Sequence, residues 1–399
     1  MRDWLIIGGG IHGTHLALVL TAAKAVPPER VRILDPHVTP LARWRQLTDN
    51  AGVRFLRSPM VHHLGLREFP IDRFVRTSEA RPYRKFIPPY NRPALKLFNA
   101  HADRVIADNG LADLFVQGRA AGLARIDGGW RVTTEAGAVI DARRVLLAPG
   151  VSDQPRVPDW AAKLRAAGAA VQHVFDEDFD RHALPPWESL VVVGAGLSAV
   201  ECALALAARG HQARARGESA SGGVTILARH EVRVSQFDSD PGWVGPKYLD
   251  GFSRVTDYAE RRRLIREARQ AGSVPPNTAR RLRRALREWR VGYRLGEAID
   301  AKFRGNGMVL EFLDGSEIVC DRVVLATGSL ERRPGGAWLD RAVEELSLPI
   351  APCGFPVPSD ALEWAPGLHV TGALAELELG PAARNIVGAR NAGERFVRI

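Results

Sequence analysis

Two glycine-rich turns carry the chemistry legible in this sequence. The first is Gly8-Gly9-Gly10-Ile11-His12-Gly13, between an apolar run at Trp4–Ile7 and a helix-forming stretch from Ile11 to about Lys24. Gly8 permits a tight turn, Gly10 lets backbone approach a pyrophosphate, and Gly13 lets helix and strand pack closely. Ile11 and His12 then stand at a helix N-terminus, which attracts phosphate charge. Asp35 closes the next strand, Val31–Leu34, 22 residues beyond Gly13, and Pro36 follows it. An acid at that spacing accepts from ribose hydroxyls. The second turn is Gly194-Ala195-Gly196-Leu197-Ser198-Ala199, after the strand-like run Leu190–Val193. Its following strand, Val224–Leu227, ends in Ala228-Arg229 with no acid at the tip. An acid there would hold a ribose diol, whereas Arg229 suits a 2′-phosphate and so favours NADPH over NADH.

Each turn needs a strand before it and a helix after it, and the order strand–turn–helix–strand is one βαβ unit. Two such units imply two nucleotide sites. Further strand signals at Arg144–Leu147 and Arg322–Leu325 end in Ala148-Pro149-Gly150 and Ala326-Thr327-Gly328. In flavoproteins with two dinucleotide sites the chain leaves the FAD domain near the first such turn and returns near the second. The expected class is therefore α/β, with two Rossmann-like dinucleotide-binding domains. The FAD domain is discontinuous, 1–154 and 323–399, and the NADPH domain, 155–322, is inserted into it. A helical elaboration spans 235–292, larger than nucleotide binding needs.

These residues resemble the flavin-dependent monooxygenases with paired Rossmann domains, and among them the N-hydroxylating lysine and ornithine monooxygenases. That family's D-x-x-x-(L/F)-A-T-G-Y motif is matched by Asp321-Arg322-Val323-Val324-Leu325-Ala326-Thr327-Gly328-Ser329, with Ser for the final Tyr. Gly52–Pro59, which includes Ser58 and follows Arg43-Trp44, resembles the stretch beside the flavin ring. Gln172-His173 resembles a similarly placed family pair. The sequence departs from the family at Leu197, where Gln is common, and at Ala373, where many FAD enzymes place Asp. The resemblance implies FAD bound through Gly8, Gly10, Gly13, Asp35, Trp44, Ser58 and Gly150. It also implies NADPH at Gly194, Gly196, Leu197, Ser198 and Arg229, with Thr327 and Gly328 beside the site. NADPH would reduce FAD, O₂ would add to it, and the resulting flavin hydroperoxide would oxygenate an amine. At the C-terminus, Leu379-Gly380-Pro381-Ala382 reads as a turn opening a last helix whose amides face the flavin.

The substrate pocket is expected near Phe237–Phe252. There Phe237, Trp243, Tyr248 and Phe252 offer an apolar wall, Asp238 and Asp240 a rim for a cation, and Ser329 lies at the edge. Two other chemistries remain open: an NAD(P)H-dependent FAD reductase without oxygenation, and a flavin-binding interaction protein with little turnover. The Baeyer–Villiger pattern F-x-G-x-x-x-H-x-x-x-W is missing before the second loop. The three cysteines, Cys202, Cys320 and Cys353, form no C-x-x-C pair, which excludes a dithiol reductase, a disulfide framework and a zinc site. His62-His63 read as structural, with one side chain exposed, and no metal spacing involves them.

Composition bounds the partners. An apolar share of 46% with 25% charged residues is that of a chain able to bury a large core. The uncharged run Trp4–Ala23 is broken by glycines and histidines, so no membrane span or signal segment is expected, and a reducing, cytoplasmic setting is. Eleven arginines against three glutamates between Glu260 and Arg290 give +8 over 31 residues. Only Trp289 accompanies them to stack on bases, so they read as a solvated helical face and not a nucleic-acid site. The partners expected are a small-molecule substrate and O₂.

Overall fold

The computed structural model describes residues 1–66, 70–217, 222–305 and 307–398. Its first sheet runs in the order Glu363–Ala365, Leu368–Val370, Val139–Leu147, Arg2–Ile7, Val31–Asp35 and Phe115–Gln117. All neighbours are parallel except the first pair. Leu5, Ile6, Val145, Leu146 and Ile33 are fully buried. Continuous apolar runs of this kind are what a parallel strand covered on both faces requires. On one face the helix Ile11–Leu18 packs against the C-terminal helix Ile386–Val397, close enough that a Cβ at Gly393 would lie 2.9 Å from His15 Nε2. The hairpin Ala120–Ile126 and Gly129–Thr134 extends antiparallel from Val139–Leu147.

The second sheet is parallel throughout, in the order Gly292–Leu295, Gly223–Ala228, Ser189–Val193, Arg322–Leu325 and Val171–His173. The boundary expected at 323 is therefore corrected. Arg322–Leu325 is an inner strand of the second sheet, and its apolar residues Val323, Val324 and Leu325 are buried there. The return to the first domain follows it. At Ser329 the returning chain bridges Pro155 of the outgoing one, and Arg156 N–H donates to Gly328 O at 2.8 Å. Beside this sheet stands a three-stranded antiparallel unit, Ala298–Arg304, Gly307–Phe312 and Glu317–Cys320.

The expected elaboration 235–292 also divides differently. Its last helix, Pro276–Arg287, is the ordinary crossover helix of the second Rossmann unit and joins the helix Leu197–Ala215 in one core. A buried carboxylate, Glu201, fastens the two: it accepts from Arg281 Nη1 at 2.7 and 2.8 Å and from Thr278 Oγ1 at 2.7 Å. The true insertion ends at a short parallel bridge between Arg233–Val234 and Ser273–Val274. Its helices Pro246–Ser253 and Tyr258–Ala268 bury Phe252 and Ile265 against Ala351, Phe355 and Leu377 of the returned chain. The insertion thus joins the two domains.

Candidate nucleotide sites and the cleft between them

At the first loop Gly8 has φ +109°, and a Cβ on it would lie 2.5 Å from Ala148 O. Gly8 N–H donates to Leu34 O at 2.9 Å, so the loop is pinned between the strand ends on either side. A Cβ at Gly13 would lie 1.8 Å from Gly8 O, which fixes the close helix–strand approach. Gly10 is different: a Cβ there meets nothing within 4 Å. It faces open space at the mouth of the loop, the room a phosphate needs. The Asp35 carboxylate accepts from Gly9 N–H at 2.6 Å and His37 N–H at 2.8 Å, which holds it at the loop with lone pairs to spare. His12 Nδ1 sits 2.9 Å from Thr371 Oγ1, and burial pushes its pKa down to about 4, so the ring is neutral. The residues present therefore fit an adenine dinucleotide at this loop.

The remaining first-domain candidates are spread around it. Trp44, on the helix Ala42–Asn50, packs against Phe98 at 5.7 Å between ring centroids. Ser58 is half-buried, and Gly150 closes the turn after Ala148. Pro381 and Ala382 are buried in a single 3₁₀ turn, Pro381–Arg384, and the last helix opens at Ile386, not at Pro381. The proline starts the 3₁₀ turn, and extended Asn385 interrupts it before the helix begins.

The second loop repeats this construction. Gly194 has φ +138°, a Cβ on it would lie 2.5 Å from Ala326 O, and its N–H donates to Leu227 O at 2.8 Å. The Ala-Thr-Gly turn thus does for the second loop what Ala-Pro-Gly does for the first. Thr327 Oγ1 donates to Arg156 O and so serves the paired linkers. Leu197 and Ser198 form the first turn of the helix Leu197–Ala215. The exposed Arg229 lies 3.7 Å from Glu297 beyond the neighbouring strand. One contact has no counterpart at the first loop: a Cβ at Gly196 would lie 3.5 Å from Gly272 Cα. The end of the insertion rests on the face that a pyrophosphate would approach. Arg57 secures it, donating to Ser235 O, Gln236 O, Phe237 O, Ser273 O and Ser273 Oγ.

The expected substrate rim does not assemble. Asp240 is exposed and caps the turn Pro241–Val244 through Gly242 N–H at 2.7 Å. Ser329 lies in the linker pair, and Phe252 is core. Asp238 alone faces a polar neighbourhood: Asn385 Nδ2 donates to it at 3.1 Å, and its charge acts on Arg57, His62 and Arg269. Sequence reasoning missed what lies behind it. Glu376, fully buried, is bound by Arg262 at 2.7 Å and by Arg269 and Arg384. Burial, opposed by Asp238, brings Arg269 down to about 10; burial with repulsion from Arg269 and Arg262 brings Arg384 down to about 9. Glu331 acts on Arg269 and Arg384 as well, so the three guanidiniums behind the Pro381 turn are set against Glu376, Asp238 and Glu331. The expectation of one exposed histidine at His62-His63 is also corrected, since His63 is buried and His62 half-buried in a turn. His173 is fully buried, with Nδ1 accepting from Phe175 N–H at 2.9 Å, which is a structural role.

A family model described as pyridine nucleotide-disulphide oxidoreductase matches residues 88–342, well over half of the 399. The chain belongs to this family. In this member of the pyridine nucleotide-disulphide oxidoreductases the three cysteines are all free, and burial pushes the Cys202 and Cys320 thiols up to about 12. Over 360 residues it is 25% identical to the indole-3-pyruvate monooxygenase YUCCA1 of Oryza sativa subsp. japonica, covering 85% of this chain and 79% of that one. Among solved structures it is similar to the ornithine hydroxylase PvdA of Pseudomonas aeruginosa, with TM-score 0.76 and 18% identity over 100% of this chain and 98% of that one. The cadaverine monooxygenase DfoA of Erwinia amylovora, solved with FAD, matches with TM-score 0.72 and 14% identity over 98% and 93%. The L-lysine 6-monooxygenase of Pseudomonas syringae gives 0.72 and 18% over 99% and 98%. At these identities the structural likeness is one of fold. Among the described residues no helix is long and apolar enough to cross a membrane, and no cluster of three or more metal-ligating side chains occurs.

Proposed function

We propose that this oxidoreductase holds FAD at the first loop and NADPH at the second, and oxygenates a nucleophilic nitrogen of a small molecule with O₂ in a cytoplasmic setting. The observation that carries this is the pair of loops, each pinned by its own strand-end turn, in a chain whose three free cysteines offer no dithiol. Electrons from the nucleotide then have no thiol relay to follow. The relatives named above as ornithine, lysine and cadaverine hydroxylases or monooxygenases support nitrogen as the acceptor.

A bound flavin supplies hydride acceptance and the activation of oxygen. This chain's part is to bind and to orient. Gly10 leaves room for the pyrophosphate at the helix N-terminus, Asp35 holds the ribose, and Arg229 pairs with the 2′-phosphate of NADPH. The insertion, packed on Ala351, Phe355 and Leu377, joins the two domains and covers the returned chain with an apolar layer. The test is a panel of amines and thioethers with NADPH, measuring nucleotide oxidation, O₂ uptake, product and peroxide in the same samples. Oxygenated amine in step with NADPH use is the expected result. Reduction of an external carrier without O₂ uptake would replace this reading with a reductase.

A further inference from the structure

Away from both glycine loops, the cleft between the domains holds a cavity of about 370 Å³. Arg54, Phe55 and Ile87 of the first domain wall one side. Asn277, Arg280, Arg281 and Arg284 of the crossover helix Pro276–Arg287 wall the other. These four helix positions lie three or four apart and so share one helix face.

The polar groups lining it are spent unequally. Arg281 is bound by the buried Glu201, and Arg284 by Glu288 at 2.7 Å. Glu288 is also claimed by Arg290 at 2.6 Å. Asn277 Oδ1 accepts from the buried Arg92, leaving only its NH₂ to give. Arg54 and Arg280 are exposed, and among the described residues neither guanidinium has a hydrogen bond or ion pair. Every side-chain group still available in the cleft is therefore a donor, and only two of its four guanidiniums, Arg281 and Arg284, are paired with a carboxylate. Phe55 and Ile87, both half-buried, add an apolar surface. A cavity lined with donors and no free acceptor matches an oxyanion, the one partner that satisfies guanidinium and amide donors together. Its volume is in the range of sites for small organic ligands, roughly 300 to 1,000 Å³.

We propose that this cleft binds a small molecule carrying a terminal phosphate or carboxylate on an apolar body, at a site separate from both nucleotide loops. The anion bridges Arg54 and Arg280, and the apolar part lies on Phe55 and Ile87. Because the two walls belong to different domains, occupancy braces one domain against the other.

The test titrates the purified holoprotein calorimetrically with phenyl phosphate, with benzoate, and with uncharged benzyl alcohol. Saturable one-to-one binding of either anion, with none for the alcohol, is expected, and the stronger anion identifies the headgroup. Arg54→Gln and Arg280→Gln remove exposed, unpaired side chains and leave the fold intact. Each should weaken the anion about tenfold, while Arg280→Gln leaves flavin content and the KM for NADPH unchanged. Failure of both anions to saturate, or affinities unaltered in both variants, overturns the proposal. So does competition by NADP⁺ with a raised KM in Arg280→Gln, which would make the cleft part of the nucleotide site.

Discussion

Replacing Gly10 by alanine separates cofactor binding from folding. The added Cβ meets no protein atom within 4 Å, so the apoprotein should fold with unchanged secondary structure and melting temperature. The methyl group instead takes the space through which a pyrophosphate reaches the backbone amides at the start of the helix Ile11–Leu18. A hydrogen bond to a charged group contributes about 1.5 to 3 kcal/mol, so losing two costs about 3 to 6 kcal/mol. That is a weakening of roughly a hundredfold to ten-thousandfold in Kd for FAD. Gly13→Ala is the opposite case, because its Cβ would lie 1.8 Å from Gly8 O and the loop would have to break. The assay compares flavin absorbance of the purified variants, FAD titration of the apoproteins by fluorescence quenching, and apoprotein melting. Gly10→Ala should fold without retaining flavin, and Gly13→Ala should fail to fold stably. A Gly10→Ala protein that is yellow at full occupancy, or whose apo form is as unstable as Gly13→Ala, would refute the reasoning.

Four further outcomes follow from the same geometry. The unmodified enzyme should prefer NADPH, and Arg229→Ala should narrow the kcat/KM ratio over NADH by about tenfold or more; equal use of both nucleotides from the start counts against Arg229. NADP⁺ should speed amide hydrogen exchange at Gln270 and Ser273, because Gly272 must leave Gly196 and the bonds Gln270 N–H to Asp238 O and Ser273 N–H to Gln270 O must open; unchanged exchange there with the nucleotide bound refutes displacement. Glu376→Gln should cost about 3 to 5 kcal/mol in urea denaturation by leaving buried guanidiniums uncompensated; a loss under about 1 kcal/mol would show that the network contributes little. Burial holds the pKa of His15, His101, His173 and His369 down at about 4, so the unfolded chain binds more protons between about pH 6.5 and 4. Stability should thus be full above pH 6.5 and fall toward pH 4, by up to about 1.4 kcal/mol per unit for each histidine; a flat profile across that window would contradict their burial as neutral rings.

The sequence by itself determined both nucleotide-binding units. Each is local in pattern: a buried apolar strand, a glycine-rich turn, a helix, and a second strand with Asp35 at its end or Arg229 just after it. Gly13 is legible because Gly8 O, five residues away, leaves no room for a side chain whatever the rest of the molecule does, whereas the clash at Gly194 comes from Ala326 O, far along the chain. What the tertiary structure alone decided involves groups far apart in the chain. Arg322–Leu325 reads as a strand from its residues, but only pairing with Ser189–Val193 and Val171–His173 assigns it to the second sheet. Asp238 and Asp240 are equivalent in type and two residues apart. One is spent on a turn amide, and the other faces Asn385, 147 residues away. The gathering of Arg262, Arg269 and Arg384 on Glu376 has no spacing to betray it, since a buried charge finds its partners wherever the packed helices bring them. The same holds for Gly272 over Gly196: a covered loop and an open one share the same pattern of glycines, and the difference is made by an insertion folded back from 76 residues downstream.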